Sequence, residues 1–455
     1  MIADLKPYAE YKESGLPWLG QVPKQWNLRR MKSLFRERSE KNHATEPLLA
    51  ATQTKGVVRK EDYGSRTVTA VSGLQNLKLV EVGDFVISLR SFQGGIEISH
   101  ARGIISPAYT VLTPQKSSEP EYFRHYFKSA DFISSLTLSI TGIREGQNVD
   151  YERLSRSFLP LPPPAEQAAI VRFLDWANGQ LERAIRAKRK VVALLGEQKQ
   201  AIVHRAVTRG LNPDVPLKPS GIPWLGEIPA HWEVRRAKYL VREVDNRSMA
   251  GEETHLAMSQ RLGLVPSDSV QSTLRSESYA GGKLCDTGDI VLNRLKAHLG
   301  VFAIANQSGV VSPDYTVLRA ENGVLAEYVE CTLRSPACRG ELKIRAKGIV
   351  EGFWRLYTDD FYTICLPAPP FGEQQHIMTA IARATLGQDN AISRLEREIT
   401  LLREYRTRVV ADVVTGKLDV REAAARLPDE APLDAAEDDT DLSDESDVAD
   451  EEAGE

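Results

Sequence analysis

Cysteine is scarce in this chain. There are four in 455 residues, Cys285, Cys331, Cys338 and Cys365, all in the second half and none in C-x-x-C spacing. That usage excludes a disulfide framework and a cysteine–zinc site, and it suits reduced, mostly buried thiols in a cytoplasmic protein. Long apolar runs are missing as well. No stretch approaches the ~20 residues of a membrane helix, and the start "MIADLKPYAEYKESG" lacks the apolar segment of a signal peptide, so no membrane contact is expected. Neither G-x-x-x-x-G-K-[ST] nor G-x-G-x-x-G occurs, which leaves ATP and dinucleotides without a phosphate cradle. The "[ND]-P-P-[YF]" signature of amino-methyltransferases is also missing, and no His or Cys pair has metal-ligand spacing. Acidic residues are piled at one end. Pro428 to Glu455 holds 14 Asp or Glu and no Lys or Arg. Apart from that tail, 58 basic residues face 48 acidic ones, so the apparent net charge of −4 conceals a body carrying about ten positive charges. A basic body suits a polyanionic partner.

What the chain does have is itself, twice. "SGLPWLGQVPKQWNLRRMK" from Ser14 returns as "SGIPWLGEIPAHWEVRRAK" from Ser220, 206 residues later. "VGDFVIS" from Val82 matches "TGDIVLN" from Thr287, and "ISPAYTVL" from Ile105 matches "VSPDYTVL" from Val311. "TGIREG" from Thr141 matches "KGIVEG" from Lys347. "LPLPPPAEQ" from Leu159 aligns with "CLPAPPFGEQQ" from Cys365, which pairs Glu166 with Glu373. "AVTRGL" from Ala206 matches "VVTGKL" from Val413. Between these phrases the halves diverge, as in 38–80 against 244–285. A duplication of this length implies one architecture used twice with different contents.

Each copy has two parts. The first mixes short β-type runs such as "DFVISL", "YTVLT" and "IVLNRL" with Gly, Pro, Asn and Ser punctuation and an intervening helix, the pattern of an α+β domain of ordinary size. The second is helical. Pro164 suits a first helical position and Glu166 the first turn. Apolar residues then recur in steps of three and four at Ile170, Leu174, Ala177, Leu181, Ile185, Val192, Leu195 and Ile202, and in the second copy at Ile377, Ile381, Ala384, Ala391, Leu395, Ile399, Leu402, Val409 and Val413. Each helix would run roughly 65 Å, too long to be wrapped by one small domain, so each is expected to pack against the other.

The doubled "G-[LI]-P-W-L-G-x-[VI]-P-x-x-W" openings, the exits through "P-P-x-x-E-Q" and the "AVTRGL" and "VVTGKL" ends resemble the specificity subunit of type I restriction–modification systems, over about residues 14–420. The resemblance implies an α+β fold with two tandem, pseudo-symmetric α/β target-recognition domains separated by two long helices that pair as an antiparallel coiled coil. The boundaries expected are 1–162 and 211–369 for the two domains, 163–210 and 370–420 for the helices, and 421–455 for an acidic disordered tail. The resemblance also implies assembly with two methyltransferase and two restriction subunits on double-stranded DNA. S-adenosylmethionine, ATP and Mg²⁺ would be carried by those partners, with no cofactor on this chain. The target would be asymmetric and bipartite, and the chain alone would be non-catalytic. A tail of such acidity departs from the usual end of the family.

Base edges and phosphates are contacted by Arg, Lys, Asn, Gln and Ser on loops. Three loop pairs carry such donors: Gln53, Thr54 and Lys55 with Ser259, Gln260 and Arg261; Arg90, Ser91 and Gln93, next to Gly94 and Gly95, with Asn293, Arg294, Lys296 and His298; and Arg144, Gln147 and Asn148 with Lys343, Arg345 and Lys347. Trp18, Trp26, Trp224 and Trp232 sit among Pro, Leu and Ile at the domain entrances, and are read as docking or core residues rather than base stackers. Two other readings are open to the sequence. Pro313-Asp314 with Glu341-Leu342-Lys343 resembles the "PD…ExK" metal site of nucleases, although the first copy has Pro107-Ala108 instead. A tandem protein-binding adaptor is the second; the basic body and paired donor-rich loops speak against it.

Overall fold

The computed structural model describes residues 5–63, 73–89, 91–115, 119–141, 148–259, 262–269, 279–348 and 354–428, the side chains of 137, 140, 141 and 148 apart. The chain divides into two compact units. The first holds Met1–Arg189 and the stretch from Arg397, the second Lys190–Glu396.

The first unit is built on a four-stranded antiparallel sheet in the order Phe35–Arg38, Thr110–Pro114, Phe85–Ile87, Glu97–Ile98. The second repeats it with Val241–Val244, Tyr315–Ala320, Ile290–Asn293 and Phe302–Ile304. Even the register is kept, since Val111 faces Val86 and Val317 faces Val291. The contents of the cores differ. Where the first unit packs Phe35, Phe85, Phe123, Phe127 and Phe132 in edge-to-face and tilted pairs, with centroids 4.8–5.6 Å apart, the second fills its core mainly with residues such as Val241, Ile290, Val329, Leu333 and Cys338. Total volume and patterning can be conserved without conserving the side chains.

The duplicated phrases meet at one place in each unit. Asn27–Arg30, from the opening phrase, pairs antiparallel with Phe158–Leu161, from the exit phrase; Glu233–Arg236 pairs likewise with Cys365–Ala368. This pairing sets the Trp of the opening beside the first turn of the helix that leaves the domain. The helices run Pro164–Arg209 and Phe371–Val414, 46 and 44 residues. In the first unit Trp26 is fully buried and its Nε1–H donates to Glu166 Oε1 at 2.7 Å, while the Tyr8 hydroxyl donates to the same oxygen. Burial, and then the bond to Glu166, push the Tyr8 phenol well above its ordinary range, so it remains a donor. The neighbouring glutamines close the joint. Gln167 Nε2 donates to Pro162 O at 2.8 Å and Gln374 Nε2 to Pro369 O at 2.9 Å, and their Oε1 atoms accept from Glu119 N–H and Leu325 N–H.

The end of a long helix is fastened in each unit too. Tyr122 donates to Val414 O at 3.1 Å in the first, and Tyr328 to Val207 O at 3.0 Å in the second. Gly416 and Gly210 follow with φ of 80° and 71°, and a Cβ there would lie 3.2 Å from the rings of Trp26 and Trp232 respectively. Only glycine fits that backbone and that contact. Trp18 and Trp224 are half-buried against the same cores.

Within each unit the helix segments pair antiparallel. In the first, Glu182 meets Arg406 at 2.9 Å and Lys188 meets Glu398 at 2.6 Å. In the second, Lys199 meets Asp389 at 2.5 Å while Ala206 and Val207 pack with Ile377 and Ile381. The apolar seam departs from expectation at one step. Ala384 is exposed and Thr385 is buried instead, its hydroxyl 3.3 Å from Asp389. The stretch from 421, placed with the tail on composition, forms a helix over Arg421–Ala425. Val420, Ala423, Ala424 and Leu427 are buried, and Arg172 donates to the carbonyls of Leu427 and Pro428. The acidic residues from 429 on lie outside the described residues.

The two joints are not equally strong. Glu373 bonds half-exposed His231 at 2.8 Å, and Trp232 Nε1 is buried without a partner. Glu166→Ala, which strands two buried donors, is expected to cost about 3 kcal/mol, and Glu373→Ala under about 1 kcal/mol. Denaturant midpoints of the two variants check this; equal losses would count against the joint as described.

Candidate nucleic-acid interface

In the first unit two of the candidate loops are brought together. The strands Leu49–Thr52 and Gly56–Arg59 form a hairpin whose turn is closed by Thr52, its Oγ1 accepting from Lys55 N–H and donating to Gly56 O. Gln53, Thr54 and Lys55 are left exposed at the tip. Lys128 then clips this turn to the loop at 91–94, donating to Gln53 O at 3.0 Å and Gly94 O at 2.8 Å and pairing with buried Glu97. Gln93 stands exposed beside the turn. Ser91 does not reach outward. It is buried, and its Oγ accepts from Ser88 N–H at 2.8 Å, so it shapes the loop. Gly95 likewise serves the fold, with φ of 84° and a notional Cβ only 2.2 Å from Phe127 O. Arg90, Arg144 and Gln147 lie outside the described residues, as does the side chain of Asn148.

The second unit spends more of its candidates on itself. Arg294 Nε donates to Thr316 Oγ1 at 2.7 Å, its guanidinium approaches Glu243 at 3.3 Å and its carbonyl accepts from Leu356 N–H. Glu243 also holds Lys283 at 2.7 Å. Burial would raise the Glu243 carboxyl, but Lys283, Thr358 and Arg294 together hold it below its usual range, so it stays charged and keeps Arg294 inside. Asn293 Oδ1 accepts from Leu295 and Lys296 N–H, and Ser259 Oγ from Leu262 N–H, so both shape turns. Arg345 pairs with Glu341 and donates to Thr363; Lys347 pairs with Asp360 at 2.7 Å. Gln260 and Arg261 lie outside the described residues. Asp314 pairs with Arg355 at 3.1 Å and Glu341 with Arg345, so the nuclease-like carboxylates serve two separate ion pairs. Among the described residues no group of three His, Cys, Asp or Glu could hold a metal ion.

Lys343 and His298 do converge, around a residue that loop-donor reasoning passed over. Lys343 Nζ lies 5.6 Å from the centroid of Trp354, and the His298 ring lies 5.5 Å from it. Burial and then Lys343 lower the His298 pKa, so the imidazole is neutral near pH 7. Leu138 and Ile344, 206 apart, are 73% and 77% exposed, an apolar pair that both units show at matched positions.

No family model matches the chain. It is 20% identical over 324 residues, 68% of each chain, to the Type I restriction enzyme EcoKI specificity subunit of Escherichia coli (strain K12). Among solved structures, a chain of a type I R-M system studied for its complex assembly and conformational transition superposes with a TM-score of 0.58 at 16% identity, covering 87% of this chain and 99% of that one. The chain is thus similar in sequence to a type I specificity subunit and in fold to a chain of a type I R-M system. The HsdS subunit from Thermoanaerobacter tengcongensis also matches, at 16% identity over 87% of this chain and 98% of that one, with a TM-score of 0.40. Among the described residues no helix is long and apolar enough to cross a membrane.

Glu97 gives the loop clip a pH signature. Burial raises its carboxyl above the usual range, and Lys128 opposes that rise. A carboxyl raised by folding costs stability once ionised, so the cost grows as pH climbs through its folded pKa. In Lys128→Met the opposing charge is gone. That variant is expected to lose about 3 kcal/mol at pH 8 and clearly less at pH 5, with Glu97→Gln restoring most of the loss. Unfolding at the two pH values tests this; a loss independent of pH would refute the role of Glu97.

Proposed function

We propose that the chain is the DNA-reading subunit of a type I restriction–modification complex and carries no catalysis itself. Each target-recognition domain, 1–162 and 211–369, reads one half of an asymmetric bipartite site. The long helices fix the unspecified gap between the halves. Two methyltransferase and two restriction subunits supply the chemistry, and with it S-adenosylmethionine, ATP and Mg²⁺. The chain works in the cytoplasm. The observation that carries this reading is the combination of one sheet framework, built twice in the same strand order, with exposed donors that differ in kind and place between the copies: Gln53, Lys55 and Gln93 in one unit, Lys343 on the helix Pro336–Arg345 in the other. A reader of two unlike half-sites needs that combination, and a binder of one repeated protein surface does not. Kinship with specificity subunits supports the same reading.

Mapping methylated adenines in cells carrying the complex gives both half-sites and the gap at once. Binding of the purified chain to duplexes is expected to fall steeply with salt, with a logarithmic slope of about −0.9 per phosphate contacted. A slope near zero would favour a protein adaptor. Replacing Gln53 and Gln93 by Ala is expected to relax one half-site by about tenfold and leave the other unchanged; equal weakening on every sequence would make them phosphate contacts. Four residues inserted in register into both long helices add about 6 Å. The mapped gap is then expected to widen by about 2 base pairs, and an unchanged gap would remove the helices from that role.

A further inference from the structure

One helix of the second unit carries charge that its own fold leaves unanswered. In Pro336–Arg345, Arg339 and Lys343 are one turn apart on one face, and the Arg339 stem lies against Gly300 in the turn after Ala297–Leu299. Among the described residues neither has a carboxylate partner, and Arg339 Nε is buried without a hydrogen bond. Lys343 stands instead over the indole of half-buried Trp354. Two like charges at this spacing repel each other, so the arrangement is mildly unfavourable until something negative or acceptor-rich arrives.

The first unit shows what the same frame carries without this cluster. Ser129 and Ser335 are both buried, and each hydroxyl donates to the carbonyl three residues back, at 2.7 and 2.8 Å. These matched bonds align the following helices 206 residues apart. Arg339, Lys343 and Trp354 then correspond to Ile133, Thr137 and Asn148. A phosphate backbone is the same under both halves of a duplex, so a phosphate contact would call for a cation in both units. A cation–aromatic cluster present at these positions in one unit alone fits what differs between half-sites, namely the bases.

We infer that Arg339, Lys343 and Trp354 form a base-reading cluster of the second unit that takes an acceptor-rich major-groove edge, guanine through its O6 and N7. A guanidinium offers the paired donors that this edge requires, the ammonium adds a further donor, and the indole gives an apolar wall against the neighbouring base. The inference rests on the DNA-reading proposal and adds the residues and the base class.

The test selects bound duplexes from a random pool with the full-length wild-type chain, Arg339→Gln and Lys343→Gln. Unfolding midpoints confirm that each variant is folded. Arg339→Gln is expected to lose a guanine preference of about tenfold or more at one or two adjacent positions of a single half-site, with the other half-site intact. Lys343→Gln is expected to weaken the same positions. Unchanged preferences in both variants would overturn the cluster. So would uniform weakening on all sequences with a shallower salt slope, since that marks phosphate contacts. A wild-type chain that selects no sequence at all would instead overturn the DNA-reading proposal itself.

Discussion

A carboxylate buried in the first turn of a long helix has to be answered by donors from elsewhere in the chain, and the first unit is organised around that requirement. Glu166 receives the indole of Trp26 and the phenol of Tyr8, while Gln167 next to it ties the helix start to the carbonyl before the helix. An unanswered buried charge would be more costly than any single apolar contact nearby. The opening phrase, the exit phrase and the helix are therefore one joint. The phrase recurs for the part of that joint which both units share. The second unit must fasten its domain to a long helix by the same strand pairing, the same glutamine and the same tyrosine-to-carbonyl bond.

Once the joint is fixed, the rest of each domain is free to differ. The sheets share order and register, yet one core is rich in phenylalanine and the other mainly aliphatic, with Phe302 and Phe361 as its buried phenylalanines. Each solution packs its own volume, and loops at the sheet edges take whatever conformation their local partners impose. Lys128 reaching Gln53 O and Glu97 in one unit and Glu243 gathering Arg294 as well as Lys283 in the other are such local solutions. They are elaborated on contacts that the repeat shares, Lys128 to Gly94 O with Arg334 to Gly300 O, and Lys78–Glu37 with Lys283–Glu243. Separation of a common frame from private loops is the physical condition for two readers of unlike sequences in one chain.

Much of the architecture was legible in the sequence because its signals are local or repeated. The three–four spacing of Ile170, Leu174, Ala177, Leu181 and Ile185 marks a buried helix stripe, and all five are buried. The 206-residue echo reveals the internal duplication directly. The interface was far less legible. Whether a polar loop residue points outward depends on partners distant in sequence, and spacing is silent about those. Arg294 looked like a donor for DNA until Glu243, 51 residues away, was seen to hold it. Ser91 looked available, and its loop turned it inward to Ser88. Trp354 and Arg339 were passed over for the converse reason: an aromatic in a Gly-rich stretch and an arginine inside a short helix give no sign that three-dimensional packing sets them on one surface. Ala384 and Thr385 show the same limit on a smaller scale, since a helix of 44 residues drifts against any fixed repeat.

This bears on how a basic composition should be converted into affinity. About ten excess positive charges suggest many phosphate contacts, but a cation already held by a carboxylate has little to gain from a phosphate. Arg345, Lys347, Arg319 and Arg38 are each paired within their own unit, Arg319 with Asp289 at 2.7 Å and Arg38 with Asp84 at 2.9 Å. Asp84 and Asp289 occupy the duplicated "GD" step, where each also accepts a backbone N–H to close its turn. These arginines therefore belong to the frame. Counterion release depends on cations that the fold leaves without a carboxylate, and among the described residues Arg339 and Lys343 meet that condition while sharing a surface with an aromatic ring. On the proposed DNA-reading role, net charge governs encounter with DNA, and cations without a carboxylate partner govern where on it the chain comes to rest.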